Sequence, residues 1–224
     1  MHPDKSRSIV PAAHDPARLG AVLLAAGSAV RMGGPNKLLM RIDGEPLVRR
    51  SLRALQRVPI GHLVVVLGRD AQRVRVELDT FPVRAFCRVE VGCDQQVSVD
   101  AGLRALPEGL DAIVLALADL PLMETDDLRW LLARWRELPA GSAAIPFHSG
   151  ARGNPVVIAG AMREPVLEAG PAAGGCRGWL AAHPQQVQRI ETPNDHFVVD
   201  LDTPEDAARL AQRGVVVEPP PEAA

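Results

Sequence analysis

Apolar runs recur along this chain and alternate with segments in which apolar residues follow a helical spacing. The longest runs, at Leu19–Ala25, His62–Leu67 and residues 111–117, predict strands that are buried on both faces. Shorter patterns predict strands at residues 83–91, 143–146, 155–158, 187–191 and 197–199. A period near 3.6 predicts helices at residues 46–57, 72–78, 96–106, 126–138, 177–182 and 203–213. In the last of these we expect Thr203 as the N-cap and Pro204 at the first helical position.

Strands and helices alternate at the spacing of βαβ units, which predicts an α/β fold whose mostly parallel sheet has helices on both faces. We expect one domain over residues 19–213, a flexible leader over residues 1–18 and a flexible tail over residues 214–224. Sheets of this class bind ligands beyond the carboxyl ends of their strands. Residues that directly follow the strands are therefore the first candidates for a functional site.

Composition excludes several classes of function. The 224 residues are 47% apolar and 23% charged, and the formal net charge of −2 without a long basic block argues against nucleic acid as a partner. No apolar run approaches the roughly 20 residues that cross a bilayer, so we expect no membrane association. Cys87, Cys93 and Cys176 are widely spaced and form no CxxC pair. They indicate neither a disulfide framework nor a zinc site, and we expect a cytoplasmic location.

A loop rich in glycine follows the first predicted strand and contains Arg31 and Lys37. Glycines let successive backbone amides approach a phosphate, and the two cations add charge that favours an anion. The Walker spacing is absent because Lys37 lies four residues after Gly33 and Leu38 follows it. The G-x-G-x-x-G dinucleotide fingerprint is absent as well, which leaves a plain flexible loop as the alternative to a phosphate site.

Acidic residues follow two later strands. Asp119 comes directly after the run at 111–117, while Asp200 and Asp202 precede the last helix and would share a face if they lay in a strand. Carboxylates at this edge suit Mg²⁺, or alternatively Mn²⁺, because Mg²⁺ takes one or two carboxylates and keeps several waters. As an alternative, Asp119 and Asp202 would cap the helices that follow them.

The segment "LAAGSAVRMGGPNKLL" resembles the L-A-A-G-x-S-x-R-M-G-x-x-K-L-L signature of nucleotidyltransferases, which use a nucleoside triphosphate to modify a phosphorylated acceptor. Ala29 stands where that signature has Ser or Thr. The resemblance implies a three-layer, Rossmann-like fold of the nucleotide-diphospho-sugar transferase type. It also implies Arg31 and Lys37 as catalytic groups that hold the triphosphate, with the nucleotide bound in addition by Ala25, Ala26, Gly27 and Ser28.

Three further segments extend the resemblance over residues 19–212. "ADLP" is similar to the G-D-x-P motif, and "DLDTPED" is similar to D-x-D-T-P-E-D, which implies Asp119 and Asp202, with Asp200 second, as metal ligands. "RGNPV" resembles the molybdenum cofactor cytidylyltransferases and implies Arg152 and Asn154 on the acceptor side. Residues 92–98 depart from the usual pattern, and there we expect Gln95, Gln96 and Ser98 near the base.

The resemblance implies transfer of a nucleoside monophosphate, preferably CMP, from the triphosphate to a molybdopterin-type phosphorylated acceptor, with release of pyrophosphate. A molybdoenzyme or its chaperone is the implied protein partner. Three alternatives remain open: a guanylyltransferase or other small-acceptor enzyme on the same fold, a non-catalytic nucleotide-binding accessory protein, and a nicotinamide oxidoreductase. Asp94 bears on the first alternative, because its carboxylate is suited to the donor-rich edge of guanine.

Overall fold

A computed structural model of the chain describes residues 18–27 and 36–221. Eleven strands occur in these residues: β1 (Leu19–Ala25), β2 (Arg41–Ile42), β3 (Glu45–Pro46), β4 (His62–Leu67), β5 (Ala85–Arg88), β6 (Ala112–Leu117), β7 (Ala143–His148), β8 (Ala151–Arg152), β9 (Val156–Ala159), β10 (Val187–Glu191) and β11 (Val217–Glu218). Seven α-helices occur in the same residues: α1 (Leu47–Gln56), α2 (Ala71–Leu78), α3 (Gln95–Ala105), α4 (Thr125–Arg136), α5 (Arg163–Ala169), α6 (Gly175–Ala182) and α7 (Pro204–Gln212).

The central sheet has the strand order β10–β7–β9–β6–β1–β4–β5, with β8 paired to β7. The pairs β1–β4, β1–β6, β4–β5 and β7–β10 are parallel, whereas β9 runs antiparallel to both β6 and β7. The mostly parallel sheet predicted from the sequence is therefore confirmed. Its parallel core, β6–β1–β4, brings the carboxyl ends of these three strands to one edge.

Successive side chains of β1 point to opposite faces of the sheet, and both faces are buried, which explains why the whole strand is apolar. Ala21 and Leu23 belong to the core cluster that contains residues of α1, α2 and α4. Val22 and Leu24 point to the opposite cluster, which contains residues of α3, α5 and α6. Each face of the strand is covered by helices, so the fold has the three layers that were expected.

A second, three-stranded antiparallel sheet has the order β11–β2–β3. It covers a third apolar cluster, composed of Met40, Ile42, Leu47, Leu122, Leu201 and Leu210. The predicted domain boundary at residue 213 leaves β11 outside the domain, yet β11 pairs with β2 through Val217 and Ile42. Regular structure thus continues beyond that boundary as far as Glu218, while residues 1–17 and 222–224 lie outside the described chain.

Two helix starts show how the ends of strands are held in place. Thr203 caps α7, Pro204 is the first helical residue, and Asp206 completes a capping box, as the sequence predicted for Thr203 and Pro204. Glu124 and Asp127 form the equivalent box at α4. Asp119 is consequently not the cap of α4, and its carboxylate remains available to the strand edge.

One predicted strand is wrong. Residues 195–197 form a 3₁₀ turn, in which Asn194 accepts a hydrogen bond from the backbone amide of His196 at 3.1 Å. Phe197 is completely buried and packs edge-on against Trp130. A short apolar run of this kind is buried equally well by a turn, so periodicity alone could not distinguish the two.

None of the helices in the described residues combines the length and the hydrophobicity that a membrane crossing requires.

Candidate active site

The carboxyl end of β1 forms one wall of the candidate site. Ala25 is the last strand residue and is buried, whereas Ala26 and Gly27 line a cavity of about 380 Å³. Gly68, at the end of β4, packs so closely here that a Cβ would lie 2.5 Å from the carbonyl oxygen of Ala26. The predicted site residues Ser28 and Arg31 fall within residues 28–35, which lie outside the described chain.

Lys37 links the segment after the glycine-rich loop to the acidic strand ends. Its Nζ lies 2.6 Å from Oδ2 of Asp119 and also donates to Oδ1 of Asp202. Only 8% of the Lys37 side chain is exposed. Burial alone would lower the pKa of the amine, but the two carboxylates outweigh this effect and hold its pKa above the ordinary value.

Backbone contacts hold the acids together. The amide of Leu201 donates to the carbonyl of Asp119 at 3.0 Å, which brings the segment before α7 against the end of β6. Asp200 and Asp202 lie in this extended segment and not in a strand, but both line the same cavity as Asp119. Burial, followed by the charges of Asp202, Asp119 and Asp206, raises the pKa of the Asp200 carboxyl.

The donor set suits a hard divalent cation. Oδ1 of Asp119 is buried and has no hydrogen-bond partner among the described residues, so it is an acceptor with an unused lone pair. Carboxylate oxygens are the ligands that Mg²⁺ and Mn²⁺ prefer. The described residues contain no ready-made group of three or more metal-ligating side chains. One or two of these carboxylates, completed by water and phosphate, is the coordination that the residues support.

The three residues predicted near the base lie at the start of α3 and have different roles. Gln95 and Ser98 line the 380 Å³ cavity, together with Gly92 and Cys93. Gln96 faces away from it: its Oε1 accepts a hydrogen bond from the backbone amide of Arg177 at 3.2 Å. Asp94 caps α3 by accepting from the amide of Gln96 at 2.7 Å and is not part of the cavity wall.

A second cavity of about 250 Å³ adjoins the first and shares Leu24, Gln95 and Leu117 with it. The predicted acceptor residues Arg152 and Asn154 both line this second cavity. Arg177, which sequence reasoning missed, lines it as well. The pair of glycines before Cys176 was the available signal, since it allows the close approach of α6 to α3.

We call the larger cavity the acidic basin and the smaller one the basic basin, after the charges that line them. The acidic basin has three carboxylates, from Asp119, Asp200 and Asp202, against the single ammonium of Lys37. The basic basin has two guanidinium groups and no carboxylate among its lining residues. The described residues thus form one continuous cleft with charges of opposite sign at its two ends.

Comparison with known proteins identifies the family of the chain. Residues 21–187 match the family described as the MobA-like NTP transferase domain. The 2-C-methyl-D-erythritol 4-phosphate cytidylyltransferase of Streptomyces coelicolor is 32% identical over 213 residues, which cover 92% of this chain and 78% of that protein. The nicotine blue oxidoreductase of Paenarthrobacter nicotinovorans is 29% identical over 84% of this chain and 94% of its own length.

Solved structures agree in fold. The homologue of Mycobacterium tuberculosis Rv0371c from Mycobacterium sp. strain JC1 is 27% identical, with a TM-score of 0.69 over 88% of this chain and 96% of the other. Rv0371c of M. tuberculosis, solved in complex with manganese, is 21% identical, with a TM-score of 0.68 over 87% of this chain and 98% of the other. With the family match over most of the described fold, the chain belongs to the MobA-like NTP transferase family of nucleotidyltransferases.

Proposed function

We propose that the chain transfers CMP from CTP to a phosphate monoester and releases pyrophosphate. The observation that carries the proposal is the contact of Lys37 with Asp119 and Asp202 at the carboxyl edge of β1 and β6. A buried cation and three acids at this edge match the demands of a metal-bound triphosphate. The similarity to a cytidylyltransferase over 92% of the chain supports the same reaction class.

The reaction needs positioning more than covalent chemistry. An oxygen of the acceptor phosphate attacks the α-phosphorus of CTP, the bond between the α-phosphorus and the bridging oxygen breaks, and pyrophosphate leaves. Lys37 binds the triphosphate oxygens and neutralises their charge, with Arg31 as its proposed companion. Asp119 and Asp202, with Asp200 beside them, would hold a divalent cation, which would supply further charge neutralisation. No nucleophilic side chain is required.

The choice of base is supported by the start of α3. The Asp94 carboxylate, the group best suited to accept from guanine, is used as a helix cap and does not line the acidic basin. Gln95 lines the basin and offers both a donor and an acceptor, which cytosine with its one amine and two acceptors can pair with. These features favour CTP over GTP.

Two phosphate monoesters are the leading acceptors. The "RGNPV" segment favours a molybdopterin-type acceptor, with a molybdoenzyme or its chaperone as the recipient of the product. The cytidylyltransferase relative is named for 2-C-methyl-D-erythritol 4-phosphate, a much smaller substrate. A cytoplasmic location is part of the proposal and is supported by Cys87, Cys93 and Cys176, which are all free thiols.

Pyrophosphate release measured with each of the four nucleoside triphosphates and each of the two acceptors tests the proposal. We expect release with CTP and Mg²⁺ or Mn²⁺, loss of release in excess EDTA, and near-complete loss in Asp119→Asn. Greater release with GTP would make the enzyme a guanylyltransferase. Binding of a triphosphate without release, with either acceptor, would indicate the accessory protein instead.

A second candidate is an oxidoreductase, because a protein of that name aligns with 84% of this chain. The same assay plate can hold a dye reduction test with nicotine blue and a reduced nicotinamide. Turnover there, with no pyrophosphate release in the first assay, would replace the nucleotidyltransferase proposal.

A further inference from the structure

We infer that Arg177 and Arg152 together form a clamp of two guanidinium groups that binds the phosphate of the acceptor in the basic basin. The inference rests on the proposed function and extends it, since Arg177 has had no role in the site so far. It also assigns Gln96 as the residue that positions Arg177, instead of a residue that reads the base.

Both arginines line the same cavity of about 250 Å³, and neither forms an ion pair in the part of the chain that the structure describes. Other arginines of the described residues are paired with a carboxylate, as Arg50 is with Glu124 at 2.6 Å and Arg104 with Asp100 at 2.7 Å. Both arginines are exposed, so two like charges meet the solvent at one cavity without a counter-charge from the described residues. An anionic ligand would supply it.

The start of α6 fixes the place of Arg177. Gly175 packs against Gln96 so closely that a Cβ would lie 2.8 Å from the Cβ of Gln96. The Gln96 side chain then accepts from the backbone amide of Arg177. This hydrogen bond ties α6 to α3, whose first residue, Gln95, lines both basins. Gln96, which itself lines the basic basin, therefore positions the backbone of Arg177.

Arg152 is fixed independently, by a different element of the fold. It lies in β8, where it pairs with Phe147 of β7. The next residue, Gly153, donates to Pro146 at 2.8 Å and leaves no room for a side chain, because a Cβ would lie 2.5 Å from the carbonyl oxygen of Phe197. Two separate elements therefore converge on one cavity with one charge each.

The remaining groups of the basic basin do not compete for the arginines. Burial raises the pKa of the Cys176 thiol to about 11, so the thiol is neutral at physiological pH. Burial, and then the neighbouring Arg177, lowers the pKa of the Arg152 guanidinium, as expected of two cations that share a site without an anion. Asn154 supplies amide donors and an acceptor beside them.

The charge count selects the class of ligand. Two guanidinium forks match the two charges and three oxygens of a phosphate monoester, whereas a single carboxylate satisfies only one fork. The position matches the reaction as well. The two basins share Leu24, Gln95 and Leu117 in their walls, so an acceptor phosphate held in the basic basin would lie next to the cavity where the triphosphate is proposed to bind.

Glycerol 3-phosphate serves as a simple phosphate monoester for the test, with acetate and glycerol as the carboxylate and neutral arms. Each is titrated into protein with Mg²⁺ and a non-hydrolysable CTP analogue present, while the arginine Nε–H signals are followed by NMR. Arg177→Gln and Arg152→Gln identify the two signals. Arg136→Gln, an exposed arginine that lines neither basin, is the matched control.

We expect glycerol 3-phosphate to shift both arginine signals. Arg177→Gln and Arg152→Gln should each weaken the binding of glycerol 3-phosphate about tenfold to a hundredfold. Arg136→Gln should leave the affinity unchanged, acetate should bind more weakly and glycerol not at all. Unchanged affinity for glycerol 3-phosphate in both clamp variants would overturn the inference. So would equal binding of glycerol, because the site would then select a polyol and not an anion.

A parallel titration of CTP with Mg²⁺ keeps the two proposals apart. If CTP does not bind but glycerol 3-phosphate depends on Arg177, the clamp stands and the nucleotidyltransferase proposal fails. If CTP binds and turns over while Arg177→Gln leaves the acceptor KM unchanged, only the clamp fails.

Gln96→Met tests the positioning role of Gln96, because it keeps the side-chain volume and removes the oxygen that accepts from Arg177. It should raise the KM of the acceptor severalfold and leave the KM of CTP unchanged, whereas a role in reading the base would raise the KM of CTP.

Discussion

At the scale of single residues, Lys37 shows how a buried charge is sustained and then used. Its ammonium lies between the carboxylates of Asp119 and Asp202, which come from positions 82 and 165 residues further along the chain. Such a buried ion pair costs desolvation that its partners only partly repay. Under the proposed function the pair has a use, because it already holds the amine where the triphosphate and its metal would bind.

Lys37→Ala should lower kcat/KM for CTP at least tenfold. The variant loses a charge-assisted contact to phosphate, which typically costs about 1.5–3 kcal/mol. It also leaves two carboxylates facing each other without a cation. Steady-state pyrophosphate release measures the effect, and Arg129→Ala, an exposed cation outside both basins, is the control. Equal kinetics in the two variants would remove Lys37 from the triphosphate site. Arg31→Ala should resemble Lys37→Ala.

Asp200→Asn should make the metal-free protein more stable while it weakens catalysis. The Asp200 pKa is raised by burial and by neighbouring carboxylates, so its ionised form is unfavourable in the folded state. The wild type therefore loses stability relative to the variant as the pH rises from the unfolded pKa of Asp200, near 3.9, through its higher folded pKa. The gain in the variant is therefore absent below about pH 4 and complete at neutral pH, and solvent screening holds it below about 1 kcal/mol.

Melting temperatures in EDTA at pH 4 and pH 7.5 measure this gain, with the exposed Asp79→Asn as the control. Addition of Mg²⁺ and CTP should make the wild type melt at the higher temperature of the two, because it gains more stability from ligand binding than Asp200→Asn does. A variant that is less stable than the wild type at pH 7.5 in EDTA would contradict the prediction.

The sequence predicted individual site residues where strand ends identify them, as for Asp119 and for Lys37 after the glycine-rich loop. It did not predict the direct contact of Lys37 with Asp119 and Asp202, because that contact depends on a fold that joins distant segments. Arg177 was missed for a related reason. It lies on a helix and not after a strand, and only the packing of Gly175 against Gln96 brings it to the cleft.

At the scale of elements, helix α3 depends on a glycine for its approach to the sheet. A Cβ on Gly102 would lie 2.3 Å from Cγ1 of Val22 in β1 and 3.1 Å from Cγ2 of Val66 in β4. No larger residue can occupy this position unless the helix moves outwards. Because α3 begins with Gln95, such a movement would also displace the wall that the two basins share.

Gly102→Ala should destabilise the protein by about 1–3 kcal/mol, the usual cost of overpacking. The opposing gain in helix propensity is about 1 kcal/mol. Denaturant unfolding measures the net effect. The matched test is the double variant with Val22→Ala, which removes the methyl that clashes. The double variant should be more stable than the sum of the two single effects predicts. Strict additivity would show that the helix does not depend on this contact.

The elements with strong patterns were predicted well. Strands β1 and β4 were predicted with their observed bounds because both faces of each are apolar and covered. The β2–β3 hairpin was missed, although Asp43 and Gly44 both adopt positive φ, at 52° and 83°, and form the Asp-Gly turn that such hairpins favour. Its strands have two residues each, too few for an alternating pattern to be recognised.

At the scale of the whole molecule, the cleft is built where the parallel part of the sheet meets its mixed part. The acidic basin lies at the ends of β1 and β6, while Arg152 of the basic basin comes from β8, beyond the antiparallel strand β9. Under the proposed function, the acidic end would bind a metal-loaded triphosphate and the basic end a bare anion. The fold would then separate two anionic substrates that otherwise repel each other.

The last prediction concerns the C-terminal segment, which reaches back to the hairpin that follows Lys37. The amide of Val216 donates to the Asp43 carboxylate at 2.9 Å, the amide of Asp43 donates back to the Val216 carbonyl at 2.9 Å, and β11 pairs with β2. Val215 and Val217 are half-buried against the third apolar cluster, to which Met40 belongs. The amide of Met40 in turn donates to the carbonyl of Lys37 at 3.1 Å.

A chain that ends after Gly214 should therefore lose about 2–3 kcal/mol of stability, from two partly buried valines and the lost hydrogen bonds. For a domain of this size the melting temperature should fall by about 5–10 °C. The KM for CTP should rise, because the turn that holds Lys37 loses support. A chain that ends after Pro219 keeps β11 and is the matched control, with an expected melting temperature equal to that of the full chain. If both truncated chains melt together with the full chain, residues 215–219 belong to the flexible tail that was expected over residues 214–224.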